Sequence, residues 1–464
     1  MKLINRTEEL KVLEGYWKEG TSSHLVIIYG KRRVGKTTLI HGFAQGKPVI
    51  YFLADKTTER ENLKQLGKRV GEFFQDPLLV KNGFHDWYEV FEYLKLHVKE
   101  RIIFALDEFP YLVETNKAIS SIFQKGWDET LKKLSVVMIL CGSSIGMMEE
   151  ETLSHRAPLY GRRSAQIFVK PFSFFDAWKF FPHLNFEEFL NVYSVAGGNP
   201  TYLLKLKEAK NLTEAIRQYI FRPMEFLFEE IEFLLKEELR ELRQYMSILK
   251  AIVFGNRKFG EIVNETGMEK SSLHKYLFTL EDLHLIEKEI PSTEKNPHKS
   301  RKGLYQIQDQ FVKFWFNFVY PFRSEIELGN LQGVIEQWRR SFGQMVAFNY
   351  EIIARDIVRE HQKEFFPFSR VGRWWDRNEE IDLIGVNEHT NEILFGEVKW
   401  STKPVGTNIL ADLKRKASLV AWGKPNRKEY FCLFSKSGFT DQMKHVAKEE
   451  KINLFKQDKI IRRA

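Results

Sequence analysis

Cysteine is nearly absent: the 464 residues hold only 2, Cys141 and Cys432, each inside an apolar run. That excludes a disulfide framework and a thiolate metal site, and it fits a reducing compartment in which both thiols are small packing groups. Long hydrophobic runs are missing too. No apolar stretch reaches about 18 residues, the length that spans a bilayer, and Met1 leads into the polar segment Lys2 to Glu9 with no signal-peptide core. A soluble, cytoplasmic chain without a membrane partner is expected. There is no internal repeat or low-complexity tract, which argues against a solenoid or a disordered tail.

What is present is enough apolar material, 43% of the chain, to build roughly two to four compact units. A net charge of +9 is compatible with a polyanion such as DNA without requiring one. Aromatic residues make up 14% and cluster in blocks such as Phe311 to Phe322, too dense for one helix face. That block reads as a domain-packing helix.

Apolar spacing predicts a helix over Glu8 to Trp17 and a buried strand over His24 to Tyr29. A helix over Lys36 to Phe43 follows, then strands at Val49 to Leu53, Arg101 to Leu106 and Val136 to Cys141. Short apolar strands alternating with helices imply an α/β fold with a parallel sheet covered on both faces. Phe172 to Leu239 is helical in pattern, broken by Gly197-Gly198-Asn199-Pro200. Arg240 to Asp309 is patterned as a winged helix: helices at Arg240 to Phe254, Phe259 to Glu265 and Ser271 to Leu283, the last opened by a serine cap, and a hairpin over Ile286 to Ile307. From Phe342 a long helix to about Glu360 precedes strands at Ile381 to Val386, Ile393 to Lys399 and Tyr430 to Phe434, with a helix over Leu410 to Ala421. The expected domains are therefore 1–170, 171–239, 240–310, a helical connector 311–341, and 342–464.

The octamer Gly30-Lys31-Arg32-Arg33-Val34-Gly35-Lys36-Thr37 has the form G-x-x-x-x-G-K-[ST], directly after a buried strand and opening a helix. Its glycines let backbone N–H groups wrap phosphates at the positive end of a helix dipole. Lys36 is expected on the β and γ phosphates, the Thr37 hydroxyl on Mg2+, and Thr38 beside it in the ATP site. Asp107 and Glu108 end the strand that begins at Arg101, at the edge where ligands of parallel sheets lie. Asp107 is expected to hold the metal and Glu108 to polarise the attacking water. Ser143, after the next strand, is placed to sense the γ-phosphate.

These segments, together with Leu106-Asp107-Glu108-Phe109-Pro110, Pro158 to Arg163 and Gly197 to Leu203, resemble the archaeal DEXX-box ATPase family, related to the STAND branch of AAA+ P-loop ATPases. The resemblance covers essentially the whole chain. It implies a helical lid and a winged helix after the ATPase core. It also implies that Asn5, Arg6 and Glu9 lie near the adenine and Arg162 or Arg163 near the γ-phosphate, and it allows an ATP-dependent homo-oligomer.

A second constellation lies near the C-terminus. Asp382 falls in one predicted strand and Glu397-Val398-Lys399 closes the next, so Glu397 and Lys399 leave the same side of the sheet. Two acids and a lysine there suit metal-dependent phosphodiester hydrolysis, with Asp382 and Glu397 as metal ligands and Lys399 steadying the water or the developing charge. The arrangement resembles the PD-(D/E)XK nuclease fold, which implies a role for Glu351 on the preceding helix and for Lys414, Arg415 and Lys416 on the following one; Ile381 stands where that pattern has proline. Lys270, His274 and Lys275 are a further candidate DNA contact, although internal packing or protein contact is the preferred reading for that module. The functional expectation is an ATPase acting on DNA with a C-terminal nuclease. The alternatives are an ATP-controlled switch whose C-terminal domain only binds, and a protein-docking platform.

Overall fold

The computed structural model describes residues 4–239 and 241–462. Arg240, where the sequence places a helix start, lies outside them. The chain forms two compact units. The first comprises Met1–Phe180 with Gly198–Thr201 and Glu232–Arg240; the second comprises Phe181–Gly197, Tyr202–Ile231 and Glu241–Ala464.

The first unit is built on five strands: β1 His24–Tyr29, β2 Val49–Leu53, β3 Ile102–Asp107, β4 Val136–Gly142 and β5 Ala165–Phe168. They run parallel in the order β2-β3-β4-β1-β5. Every residue of β1, β3 and β4 is buried, as continuous apolar runs in a sheet covered on both faces should be. β5 was not anticipated, because four residues, Ala165 to Phe168, are too few to show a period. Between β2 and β3 the chain makes three further helices, Glu59–Phe74, Pro77–Asn82 and Trp87–His97. Each is started by a capping side chain: Thr58, Asp76 and Asp86 accept from backbone N–H groups of their first turns. Val26, Ile28, Leu39, Phe43, Ile103, Val137 and Ile139 form the core, each side chain contributing about 1.5–3 kcal/mol of burial. Because β1 and β3 both run parallel to the β4 between them, the loop after β1 and the acid ending β3 emerge at one sheet edge.

In the second unit, helices Leu242–Val253, Phe259–Thr266 and Lys270–Asp282 lead into the antiparallel pair β6 Ile286–Glu289 and β7 Leu304–Ile307. The third helix begins at Lys270 with Glu269 at its N-cap and no side-chain cap, so the Ser271 cap expected from sequence is not formed. Lys270, His274 and Lys275 are exposed, and His274 stacks on Phe259 at 4.3 Å. Helix Gln310–Phe318 buries Phe311, Phe314, Trp315 and Phe318, as its aromatic density suggested.

Next, a 30-residue helix runs from Leu331 to Glu360. It starts eleven residues before Phe342, because Val334, Ile335 and Trp338 continue the buried stripe of Phe342 and Val346 upstream. Residues 331–341, expected in a separate connector, are thus its opening turns. The chain then forms β8 Arg370–Asp376, β9 Glu379–Asn387, β10 Glu392–Lys399, β11 Lys428–Ser435, β12 Asn453–Lys456 and β13 Lys459–Arg462, adjacent in reverse order from β13 to β8. The β10–β11 and β11–β12 pairs are parallel and the other three antiparallel. Ile384, Val386, Phe395, Leu413, Leu433 and Leu454 lie in the core of this sheet and helix Thr407–Ser418. Among the described residues no helix is long and apolar enough to cross a membrane.

Candidate functional site

The loop after β1 takes conformations that its sequence supplies. Gly30 has φ +148°, and a Cβ there would stand 2.4 Å from the carbonyl oxygen of Val169; Gly35 has φ +93° and forms the N-cap of helix Lys36–Ala44. Arg33 also has positive φ, 63°, and its carbonyl accepts from the Thr201 hydroxyl at 3.4 Å. Val34 is fully buried and anchors the loop. The Lys36 ammonium, on a residue only 6% exposed, donates to the carbonyls of Gly30 at 2.8 Å and Lys31 at 2.9 Å. Burial lowers its pKa, an effect opposed by Cys141, Glu108 and Asp107.

Seventy residues away in sequence, Asp107 completes β3 and is buried. Its Oδ2 accepts from the Thr37 hydroxyl at 2.8 Å and from the Tyr51 hydroxyl at 2.7 Å, while Oδ1 accepts from the Glu108 amide at 3.0 Å. Glu108 sits at φ 54°, and its Oε2 accepts from the Ser143 hydroxyl at 2.8 Å and amide at 3.3 Å. Lys36, Thr37, Asp107, Glu108 and Ser143 are therefore gathered at one edge of the sheet. Thr37 is exposed and Thr38 partly so at the start of the helix.

Arg32 is held differently from its loop neighbours. Its Nε pairs with Glu237 at 2.6 Å, and its Nη2 donates to the Tyr111 hydroxyl at 2.8 Å. The adjacent Glu238 accepts from the Ser144 hydroxyl at 3.1 Å and the Ile145 amide at 3.3 Å, and burial raises its pKa. Arg6, at φ 76°, donates to the Val34 and Lys170 carbonyls at 2.8 Å each, pairs with Glu9 at 3.1 Å and lies 4.2 Å over the Phe172 ring. Asn5, also at positive φ, accepts from the Thr7 hydroxyl at 3.5 Å. Arg162 is bound by Asp128 through Nε at 2.9 Å and Nη2 at 2.8 Å, and Arg163 lies 4.9 Å over the Tyr160 ring.

In the second unit, β9 and β10 bring the C-terminal residues together. Asp382 and Glu397 lie just beyond the Leu383–Gly396 pair, and Asp382 Oδ2 accepts from the Val398 amide at 2.9 Å. Glu397 Oε1 pairs with Lys399 at 2.6 Å and Lys416 at 3.5 Å, whereas the buried Oε2 has no hydrogen-bond partner. Burial, then the Glu397 charge, raises the pKa of Asp382; burial, then Asp382, raises that of Glu351. Arg373, which pairs with Glu380 at 2.8 Å, faces the same acids. Lys414 and Arg415 point elsewhere, to Glu450 and Glu379.

Among the described residues, no three His, Cys, Asp or Glu side chains gather as a metal set. A divalent ion at either place would rest on one or two acids and need hydroxyl, phosphate or water oxygens to complete its shell. Thr37 with Asp107 fits that pattern. So does Asp382 with Glu397, whose free buried oxygen has an unsatisfied acceptor.

Several participants gave no sequence signal. Tyr51 sits mid-strand like any aromatic, Glu237 and Glu238 belong to an unexceptional Lys-Glu-Glu run, and Arg373 lies in the unanticipated β8.

Residues 3–206 match the family described as an ATPase domain predominantly from Archaea, and residues 315–412 match a family of archaeal and bacterial proteins of unknown function. An uncharacterised protein of Methanocaldococcus jannaschii is 36% identical over 438 residues, 93% of this chain and 95% of its own. A second protein of that organism, described as ATP-binding, is 50% identical over 46 residues, 10% of this chain and 76% of its own. Among solved structures, the Walker-type ATPase of Pyrococcus abyssi superposes with a TM-score of 0.51 at 23% identity, over 68% of this chain and 96% of that one, a likeness of fold. Phosphate loop, parallel sheet and full-length relative agree: the chain belongs to this predominantly archaeal family of P-loop ATPases.

Proposed function

We propose that the chain binds ATP on the loop Gly30 to Thr37 and hydrolyses it with Asp107 and Glu108. The observation that carries this reading is the Thr37–Asp107 hydrogen bond, which sets a hydroxyl and a buried carboxylate at the distance that two ligands of one metal shell share. Loop amides and Lys36 hold the phosphates; Lys36 exchanges its two carbonyl acceptors for phosphate oxygens. A magnesium ion bound there would neutralise charge building on the phosphates. Glu108 leaves Ser143 to take a proton from the attacking water, and Ser143, once released, faces the γ-phosphate. Arg6, with Asn5 and Glu9, shapes the base end, and Arg162 or Arg163 reaches the γ-phosphate after leaving its present partner.

On this reading the remainder divides into a helical lid at 171–239, a winged helix at 240–310 and a nuclease-like domain near 342–464. Asp382 and Glu397 are the metal acids, Lys399 steadies the attacking water, Glu351 assists, and DNA is the substrate. The free, buried Oε2 of Glu397 supports this most directly. Plasmid DNA incubated with Mg2+ or Mn2+ tests it. Nicking that disappears in Asp382→Ala and Lys399→Ala but survives in Lys36→Ala supports cleavage; no nicking under either metal rejects it.

A second reading, an ATP-controlled switch, is favoured by the contacts of Glu237 and Glu238 with Arg32 of the loop and with Ser144. Binding of ATP would compete for Arg32 and release that segment. ATP-dependent self-assembly, measured by light scattering and made nucleotide-independent by Glu237→Ala with Glu238→Ala, supports the switch. A chain monomeric in every nucleotide state rejects it.

A further inference from the structure

A cavity of about 280 Å3 opens in the second unit between helices Leu242–Val253, Gln310–Phe318 and Leu331–Glu360. None of its lining residues belongs to either constellation described above. Its polar lining is one-sided: Arg257 and Lys313 supply positive charge, Gln306, Asn317 and Gln344 supply amides, and no Asp or Glu is among the lining residues described. The rest of the wall is apolar, from Ile252 and Ile307 to Phe318, Met345 and Phe348.

The two cations converge on one ring. Lys313 Nζ lies 3.9 Å and the Arg257 guanidinium 6.0 Å from the centre of Phe348. Arg257 is also fixed by hydrogen bonds to the Tyr305 carbonyl at 3.2 Å and Gln306 Oε1 at 3.2 Å. Among the described residues, no ion pair and no hydrogen bond reaches Lys313 Nζ. The nearby carboxylates do not fill that role. Glu289 on β6 is taken by Arg355 at 3.0 Å and by Arg257 and Arg373 at 3.6 Å; Glu287 on β6 is held by Gln306 and Gln308; Glu351 on the long helix belongs to the Asp382 cluster. Burial, then the Arg257 charge, lowers the Lys313 pKa to about 7, against the opposing pull of Glu287, Glu289 and Glu351.

The geometry points to a ligand site for a small organic carboxylate: its anionic head sits between Lys313 and Arg257, and its apolar body lies along Phe348, Met345 and Phe318. A cavity of this size, mostly apolar with a few converging polar groups, is the usual form of a small-molecule site. Lys313 has no carboxylate partner and Arg257 shares Glu289 at 3.6 Å with Arg355 and Arg373, so the lining carries an excess of positive charge that an anion relieves and a neutral molecule does not. A carboxylate also favours the ammonium form of Lys313, so the ligand should arrive with a proton.

The test uses the full-length protein and calorimetric titration of octanoate, octan-1-ol, octylammonium and inorganic phosphate at pH 8. Octanoate should bind saturably at one site, with each of the other three at least ~10-fold weaker, because only octanoate matches both parts of the cavity. Lys313→Met and Arg257→Met should each weaken octanoate by a similar factor. With the unaltered protein, the heat of octanoate binding should differ between HEPES and Tris buffers in the sense of proton uptake. This readout needs no variant and would not respond to a merely structural lysine. Absence of saturable octanoate binding, equal binding of octan-1-ol or phosphate, or a buffer-independent heat overturns the proposal.

Discussion

The hydroxyl of Thr37 donates to the Oδ2 of Asp107 at 2.8 Å, joining the helix that follows β1 to the end of β3. Two residues that only the fold brings together thus share one acceptor–donor pair, with Tyr51 on the same oxygen at 2.7 Å. In an ATPase of this family the pair separates two ways of using a carboxylate: as a hydrogen-bond acceptor that holds the helix, and as the negative charge that a metal requires.

Replacement of Asp107 by Asn distinguishes those uses, since the amide oxygen still accepts from Thr37 but the charge is gone. Mg2+-dependent ATP turnover should fall ~100-fold or more, the scale typical of losing one electrostatic contact made in the transition state. ATP binding measured in EDTA should change less than about threefold, because the metal-mediated contact between the carboxylate and the phosphates is absent there. Turnover within a factor of two of the unaltered protein would show that another group carries the metal.

Glu108 and Ser143 form the second relationship with a consequence for rate. Glu108→Gln should leave ATP affinity intact and lower turnover by ~10²-fold or more, as for loss of a general base. Ser143→Ala removes the 2.8 Å contact that holds the carboxylate, so its effect should be far smaller and confined to kcat. Single-turnover measurements with excess enzyme separate these outcomes. Normal chemistry in Glu108→Gln would place the base elsewhere.

Much of this centre was legible in the sequence, because the phosphate loop is a continuous octamer whose glycines and lysine must stand at fixed spacing. Asp107 and Glu108 could be placed because the apolar run before them declares a buried strand and hence the edge it ends on. The pair Asp382 and Glu397 was legible for a related reason: two strands of clear pattern are joined by a short polar turn, Asn387 to Glu392, which fixes them as neighbours. Other parts carried no local signal. β5, β12 and β13 have four residues each, and β8 interleaves tryptophans with charges. The long helix begins upstream of Phe342 because apolar side chains continue its stripe, which no cap residue announces. Tyr51, Glu237 and Glu238 become participants only through contacts made after folding.

Lys313 offers a test of stability against pH. Its folded pKa, about 7, lies below the value of about 10.4 for a free lysine, so the unfolded chain binds more protons between those limits. Its contribution therefore destabilises the fold most at low pH, and stability recovers as pH rises from about 7 toward 10. Lys313→Met removes that penalty and should stabilise the protein by about 2 kcal/mol near pH 7.5, after allowance for solvent screening and the lost contact with Phe348. The gain should shrink toward zero by about pH 10. Denaturant unfolding across this range measures it. A pH-independent difference, or a destabilised variant at pH 7.5, would contradict this reading of Lys313.

The most direct measurement concerns Lys36, because phosphate recognition by this loop underlies everything assigned to the first unit. Calorimetric titration of ATP with Mg2+ into the Lys36→Ala protein, compared with the unaltered chain, should show affinity reduced ~100-fold or more, as a charge-assisted contact to phosphate is lost. ATP bound equally well by both proteins would mean that the triphosphate lies somewhere other than the loop between Gly30 and Thr37.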